Sequence, residues 1–238
     1  MDTVKLFCGF DRREAVGFSV FANSVITRSS LPVEIIPLTE QLGQKLGIAT
    51  DGTNAFTKIR YAIPAICGFE GFAIFADGSD MLCRSDIAEL WALRSPWTAL
   101  QRVAHDYRTQ HPRKYLGTHI EAENADYPMK NQSSLMIFNC AHFANRILKP
   151  AHIAKTPGSD LHRFGWLTEK KWLGDLPKEW NHLVGEDAPN PDAKMAHFTL
   201  GIAGFNHYRS VEFAEEWRAE WLAANEGLQY DITLRRSA

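Results

Sequence analysis

Phe72-Ala73-Ile74-Phe75-Ala76-Asp77-Gly78-Ser79-Asp80-Met81-Leu82 sets an unbroken apolar run directly against two carboxylates. A short apolar run of this kind, closed by turn residues, is the pattern of a strand buried on both faces. Carboxylates just past the C-terminal end of such a strand fall at the sheet edge where doubly wound α/β proteins bind ligands. Two of them a few residues apart can hold one hard divalent cation through oxygen, and Gly78 lets the chain bend between them. Asp-Gly-Ser is also ordinary turn chemistry, so the segment by itself leaves both readings open.

Outward from this strand the periodicity alternates. Val4-Lys5-Leu6-Phe7-Cys8-Gly9-Phe10 reads as a buried first strand and residues 12–28 as a helix behind Asp11. Pro32 to Leu38 reads as a second strand, residues 39–54 as a loop with at most a short helix, and Ala55 to Cys67 as a helix stopped at Gly68. A helix starts near Asp86, where Asp86 and Glu89 have capping-box spacing; Trp97 to Ala104 and Ser134 to Phe138 are further strands. Strands alternating with helices predict an α/β fold with a doubly wound, mostly parallel, Rossmann-like sheet. Residues 151–238 are less regular, rich in Trp, His and Pro, and end in a helix near 211–223 carrying Phe213, Trp217 and Trp221 at helical spacing. No repeat, low-complexity tract or linker interrupts the chain, so one domain over 1–238 is expected, with a ligand-binding part at about 1–150 and a second part at 151–238.

Composition excludes several classes. A chain of 238 residues, 45% hydrophobic, can bury a full core without disulfide or zinc staples. A formal charge of −2 gives no global positive field for nucleic acid or acidic lipid. Cys8, Cys67, Cys83 and Cys140 form no C-x-x-C pair and read as small buried hydrophobes in a reducing compartment. The N-terminus lacks a basic segment followed by an apolar stretch, and no apolar run approaches membrane-spanning length. The expectation is therefore a cytoplasmic protein without stable membrane anchoring, in which the sequon Asn131-Gln132-Ser133 carries no weight. P-loop and G-x-G-x-x-G signatures are missing, which argues against those nucleotide-binding classes. Gly9-Phe10-Asp11-Arg12-Arg13 is not the glycine-rich phosphate loop a nucleotidyltransferase would need.

Phe75 to Leu82, followed by Asp86-Ile87, resembles the Asp-x-Asp region of GT-A fold glycosyltransferases, and is most similar to family 8, the glycogenin and lipopolysaccharide galactosyltransferase type. Phe7-Cys8-Gly9-Phe10-Asp11 resembles the family's first strand and base-receiving loop. Phe56-Thr57-Lys58-Ile59-Arg60-Tyr61-Ala62-Ile63-Pro64 resembles the helix whose arginine faces the donor. Ser133-Ser134-Leu135-Met136-Ile137-Phe138-Asn139 resembles the Asn-x-Gly-apolar-Asn strand, with Ser134 where glycine is common. Leu176-Pro177, Trp180-Asn181 and His197-Phe198-Thr199-Leu200-Gly201 resemble the C-terminal segment, although the Lys-Pro-Trp that often follows the glycine is absent. Five motifs in register, spanning about 4–205, carry the likeness.

The resemblance implies a GT-A fold with an acceptor-side segment toward the C-terminus. It also implies a metal-dependent, retaining hexosyl transfer from a nucleoside diphosphate sugar, UDP by likeness alone, to an acceptor hydroxyl. It implies Asp77, Asp80 and His197 as ligands of Mn²⁺ or Mg²⁺, a set whose hard oxygens and imidazole suit such an ion. Asp80, Arg60 and His162 then become candidate catalytic residues, and Gly9, Phe10, Asp11, Arg60 and Asp77 candidate donor-binding residues. Here two residues, Gly78 and Ser79, separate the aspartates where the family usually has one. That difference keeps a second expectation open, a nucleotide-sugar- or carbohydrate-binding protein without turnover on the same fold.

Overall fold

The computed structural model describes residues 2–49, 54 and 56–226. Its strands are β1 (Val4–Gly9), β2 (Val33–Leu38), β3 (Phe72–Ala76), β4 (Met81–Cys83), β5 (Leu100–Val103), β6 (Arg113–Lys114), β7 (Ala122–Glu123), β8 (Leu135–Asn139), β9 (Leu173–Leu176), β10 (His182–Leu183) and β11 (Met195–His197). The α-helices are α1 (Ala15–Arg28), α2 (Glu40–Lys45), α3 (Ile63–Ile66), α4 (Ile87–Ala92), α5 (Pro150–Lys155), α6 (Gly158–His162) and α7 (Ala214–Ala224). The central sheet has the order β2-β1-β3-β8-β5-β9. β1 is parallel to β2 and β3, β5 is parallel to β9, and β8 alone is antiparallel to both its neighbours. The sheet is thus mostly parallel, as expected, with one reversed strand inside it.

That reversal positions the site. Because β8 runs against β3, the start of β8 lies beside the end of β3, and the Asp77 N–H donates to the Ser134 carbonyl at 2.8 Å. Alternate side chains of the central strands point to opposite faces. Leu6, Cys8, Ile74, Ala76 and Ile137 pack with Phe21 and Val25 of α1 and Leu90 of α4. Phe7, Ala73, Phe75, Met136 and Phe138 pack on the other side with Ile63 of α3, Ile153 of α5 and Leu161 of α6. Both faces are covered, which is why the strand sequences read as near-continuous apolar runs. Pro37 is tolerated because β2 is an edge strand, where a missing ladder donor costs little.

Residues past 150, less regular as expected, still contribute strands to the sheets: β9 pairs with β5, and β11 pairs with β4. The expected helix at 55–67 is instead a 3-10 turn, Ile59–Ala62, followed by the four-residue α3. Pro64 explains the break, since it lacks an N–H and fits only the first turn of an α-helix. The strand expected from Trp97 contracts to β5, and Trp97 is exposed. Asp86 caps α4 through the Ala88 N–H, but Glu89 bonds Ser85 and Lys194 instead of closing a capping box. At the C-terminal helix Phe213 is a left-handed cap residue, Trp217 is buried and Trp221 is partly exposed.

Candidate metal centre and cleft

The Asp77–Asp80 loop is held from below by α1. Gly17 sits so close to it that a Cβ built there would lie 1.8 Å from the Ser79 carbonyl oxygen. The loop turns at Gly78, whose φ of +76° is left-handed, and closes with the Met81 N–H on the Gly78 carbonyl at 3.0 Å. This turn takes up the residue that separates the chain from the family spacing.

His197 arrives from the far end of the sequence. In the β11–β4 ladder it pairs with Met81, and the Phe198 N–H donates to the Asp80 carbonyl at 2.8 Å. Its Nε2 lies 3.3 Å from Asp80 Oδ2. One ligand atom from each of Asp77, Asp80 and His197 lies within 4.8 Å of the others. The opposite ring nitrogen, Nδ1, is 2.9 Å from Asn181 Oδ1. The Asn181 amide nitrogen donates to Ser134 Oγ at 2.9 Å and to the Asn131 carbonyl at 3.3 Å, so its oxygen must face the imidazole. Nδ1 therefore carries a proton and Nε2 is turned toward the carboxylates, the arrangement by which a neighbouring group orients a metal-binding histidine.

The fit to a cation can be tested on the residues themselves. Asp80 Oδ1 is buried and has no hydrogen-bond partner, although a buried carboxylate oxygen normally finds one. A divalent ion is the partner this donor set suits: two carboxylates and one imidazole, open to a cleft on one side. Burial works against charge on both members of the Asp80–His197 pair, yet their mutual attraction prevails, lowering Asp80 and raising His197 from their ordinary values. Asp77 is pushed up to about 6, chiefly by burial, while the Arg60 guanidinium pulls it back.

The cleft above these residues has a volume of about 470 Å³, within the range of small-molecule sites. Arg60 and His162 both line it. Arg60 is 3% exposed and committed: its Nη1 binds Asp77 Oδ1 at 2.6 Å and the Ser133 carbonyl at 2.9 Å, and it stacks between Phe56 and Phe75. It supports Asp77 from beneath. His162, on α6, has Ser133 Oγ at 2.7 Å and Tyr61 Oη at 3.0 Å from its Nδ1.

Gly9, Phe10 and Asp11 are not among the residues that form this cleft. Gly9 packs under the Phe56 ring, Phe10 meets Phe18 edge-on at 5.2 Å, and Asp11 caps the turn at Arg12–Glu14 while pairing with Arg13 at 2.6 Å. His207 faces a separate depression, and the Tyr208 hydroxyl accepts from the Leu116 N–H.

Sequence reasoning missed Glu14, Lys114 and Tyr115, and met Asn181 only as part of the Trp180-Asn181 motif, without a role. Glu14 lines the cleft, its Oε1 is buried without a partner, and its carboxyl is pushed up to about 8 by burial and by Asp80, Asp11 and Asp77. Its place one turn past Asp11 offered a hint. Lys114 and Tyr115 come from the β6–β7 hairpin, whose sequence has no periodic signal.

No family model matches the chain. The Arabidopsis thaliana protein named Protein CDI is 34% identical to it over 226 residues, covering 91% of this chain and 85% of that one. Among solved structures, the bifunctional glycosyltransferase WbbM is similar with a TM-score of 0.61 at 16% identity over 92% of this chain. The glycosyltransferase GlyE of Streptococcus pneumoniae TIGR4 gives 0.59 at 14% identity over 96% of this chain. The chain spans only 49% of the WbbM chain and 65% of the GlyE chain. The galactosyltransferase LgtC, solved with donor and acceptor sugar analogs, gives 0.57 at 12% identity, covering 92% of this chain and 96% of LgtC. These likenesses establish the GT-A fold that the family-8 resemblance implied. Among the described residues no helix is long and apolar enough to cross a membrane.

Proposed function

The chain belongs to the family of the Arabidopsis thaliana Protein CDI, and on that footing we propose that it is a metal-dependent glycosyltransferase moving a hexosyl group from a nucleoside diphosphate sugar to an acceptor hydroxyl. The observation that carries the reading is the Asp77–Asp80–His197 group, with Asp80 and His197 buried, Asp77 half-buried and one Asp80 oxygen unpartnered, at the sheet edge of a GT-A fold. Asp77, Asp80 and His197 would hold Mn²⁺ or Mg²⁺, which would supply Lewis-acid compensation for the charge of a departing nucleoside diphosphate.

The chain's own groups prepare that chemistry. Asn181 fixes the His197 tautomer. Arg60 draws Asp77 toward its ionised form and keeps it in place. Phe56, Tyr115 and Tyr127 wall the cleft with aromatic surface. His162, on α6 and lining the same cleft, is the group we assign to the acceptor side. UDP is the nucleotide expected from the family likeness.

Transfer with retention of configuration is supported by the cleft's acids. Outside the cation set Glu14 is the one carboxyl among the described cleft residues. Burial, the largest of the causes that push its carboxyl up, disfavours the charged and nucleophilic form. A same-face substitution through an oxocarbenium-like state therefore fits better than a covalent intermediate.

The test is thermal stabilisation by UDP with Mn²⁺ and with EDTA, followed by turnover of UDP-sugars and proton NMR of the first product. Stabilisation that needs the metal, turnover, and an α-glycoside from an α-linked donor are expected. UDP binding unchanged in EDTA would remove the cation from the reading. Binding without any donor cleavage would assign a binding role in place of catalysis, and a β product would exclude retention.

A further inference from the structure

Lys114 is the cleft cation that the site's own carboxylates leave over. The other two cationic side chains lining the cleft that carry a permanent charge are paired, Arg60 with Asp77 at 2.6 Å and Arg163 with Asp160 at 2.5 Å. Lys114 makes no ion pair among the described residues, and its nearest recorded partner is the Tyr115 ring, 5.1 Å from Nζ. It nonetheless lines the same cavity as Asp77, Asp80 and His197 and bears electrostatically on all three.

Its position is fixed by the backbone. Lys114 pairs with Ala122 in the β6–β7 hairpin. On its C-terminal side the Tyr115 N–H donates to the Leu200 carbonyl at 2.6 Å, and the Leu116 N–H to Tyr208 Oη at 3.0 Å. Tyr115 takes a left-handed φ of +57°, an unusual conformation for a bulky residue. The hairpin is thereby tied to the segment that follows His197. Residues 198–206 of that segment contain no Lys or Arg, so Lys114 brings to this side of the cation group a positive charge that the adjacent chain lacks.

We propose that Lys114 binds the diphosphate of the donor, on the side of the cleft facing the Asp77–Asp80–His197 cation site. This inference rests on the reading of the cleft as a nucleoside diphosphate sugar site. An unpaired ammonium beside a cation centre matches a ligand carrying several anionic oxygens, which can be shared between the two positive groups. A neutral sugar or a free nucleoside would gain little from it.

The experiment is calorimetric titration of the wild type, Lys114→Ala and Lys114→Arg with UDP and with uridine, in Mn²⁺, with melting curves for each protein. Lys114→Ala is expected to bind UDP about 10- to 100-fold more weakly, the range of one hydrogen bond to a charged group, with uridine binding unchanged and Lys114→Arg retaining most of the UDP affinity. Undiminished UDP affinity in Lys114→Ala would overturn the assignment while leaving the glycosyltransferase reading in place. Equal losses for UDP and uridine would show that Lys114 shapes the cleft and does not bind phosphate. A wild type that binds neither UDP, GDP nor ADP with Mn²⁺ would refute the donor reading and this assignment with it.

Discussion

Asn181 Oδ1 stands 2.9 Å from His197 Nδ1, and the Asn181 amide nitrogen is occupied by Ser134 and Asn131. One fully buried amide thus decides which nitrogen of His197 is available to a cation.

Asn181→Leu should weaken Mn²⁺ binding by about 10- to 100-fold, the usual effect of losing a group that orients a metal-binding histidine. Isothermal titration with Mn²⁺ on the folded variant checks this. Unchanged affinity would mean that the imidazole is oriented by other contacts.

Asp80→Asn and His197→Ala should each lower turnover at least about 100-fold and raise the Mn²⁺ requirement, because both remove a group aimed at the charge of the leaving diphosphate. Asp77→Asn should lose less. Asp77 is already shared with Arg60, and the neutral amide can still meet that guanidinium. Metal-titrated initial rates of the three variants give the ranking. A folded Asp80→Asn protein with normal rate and metal dependence would place the motif on the wrong aspartate.

Gly17→Ala should destabilise the fold by at least about 1–3 kcal/mol, the usual cost of overpacking, since the new Cβ meets backbone and not a movable side chain. Gly47→Ala is the control. Gly47 has φ +68° with open space around it, so only the left-handed backbone cost of about 1–2 kcal/mol applies. Melting temperatures compare the two, and only Gly17→Ala should also shift Mn²⁺ affinity, because the displaced carbonyl belongs to the metal loop.

His105 gives a pH dependence of stability. Burial, joined by the charges of His197, Lys178, Arg102 and His182, pushes its imidazole from 6.5 down to about 3. Between those values the unfolded chain binds a proton that the native state refuses, so stability falls as pH drops from 6.5 toward 3. His105→Leu should show a shallower loss of melting temperature over that window than the wild type. Parallel curves would assign the acid sensitivity to other groups.

The central strands were legible because both their faces are buried, which leaves Val4–Gly9 and Phe72–Ala76 as apolar runs closed by turn residues. Asp77, Asp80 and His197 were readable as candidates from motif order, and the structure brings them together. What periodicity could not show were the contacts made by isolated residues across long sequence separations. In sequence Gly17 looks like any residue of a helix, and its role appears only where α1 meets the Ser79 carbonyl. Lys114 belongs to a two-residue strand, too short to leave a pattern, and reaches the cleft through tethers to Leu200 and Tyr208. Pro64 is visible in the sequence, and helical periodicity around it does not reveal that it divides the segment into a 3-10 turn and the four-residue α3.

The β4–β11 ladder has a consequence for the order in which the protein is made. Asp80 and His197 are 117 residues apart in the chain, yet the ladder pairs His197 with Met81, the residue next to Asp80. During synthesis the two aspartates leave the ribosome long before the imidazole, and a chain halted short of residue 197 holds two carboxylates with no third ligand. The cation site therefore matures late, after β1, β3 and β8 have had time to pair. A truncated or stalled product that keeps much of the central sheet is still unable to close the metal centre, so sheet content alone would overstate how much of a preparation is competent.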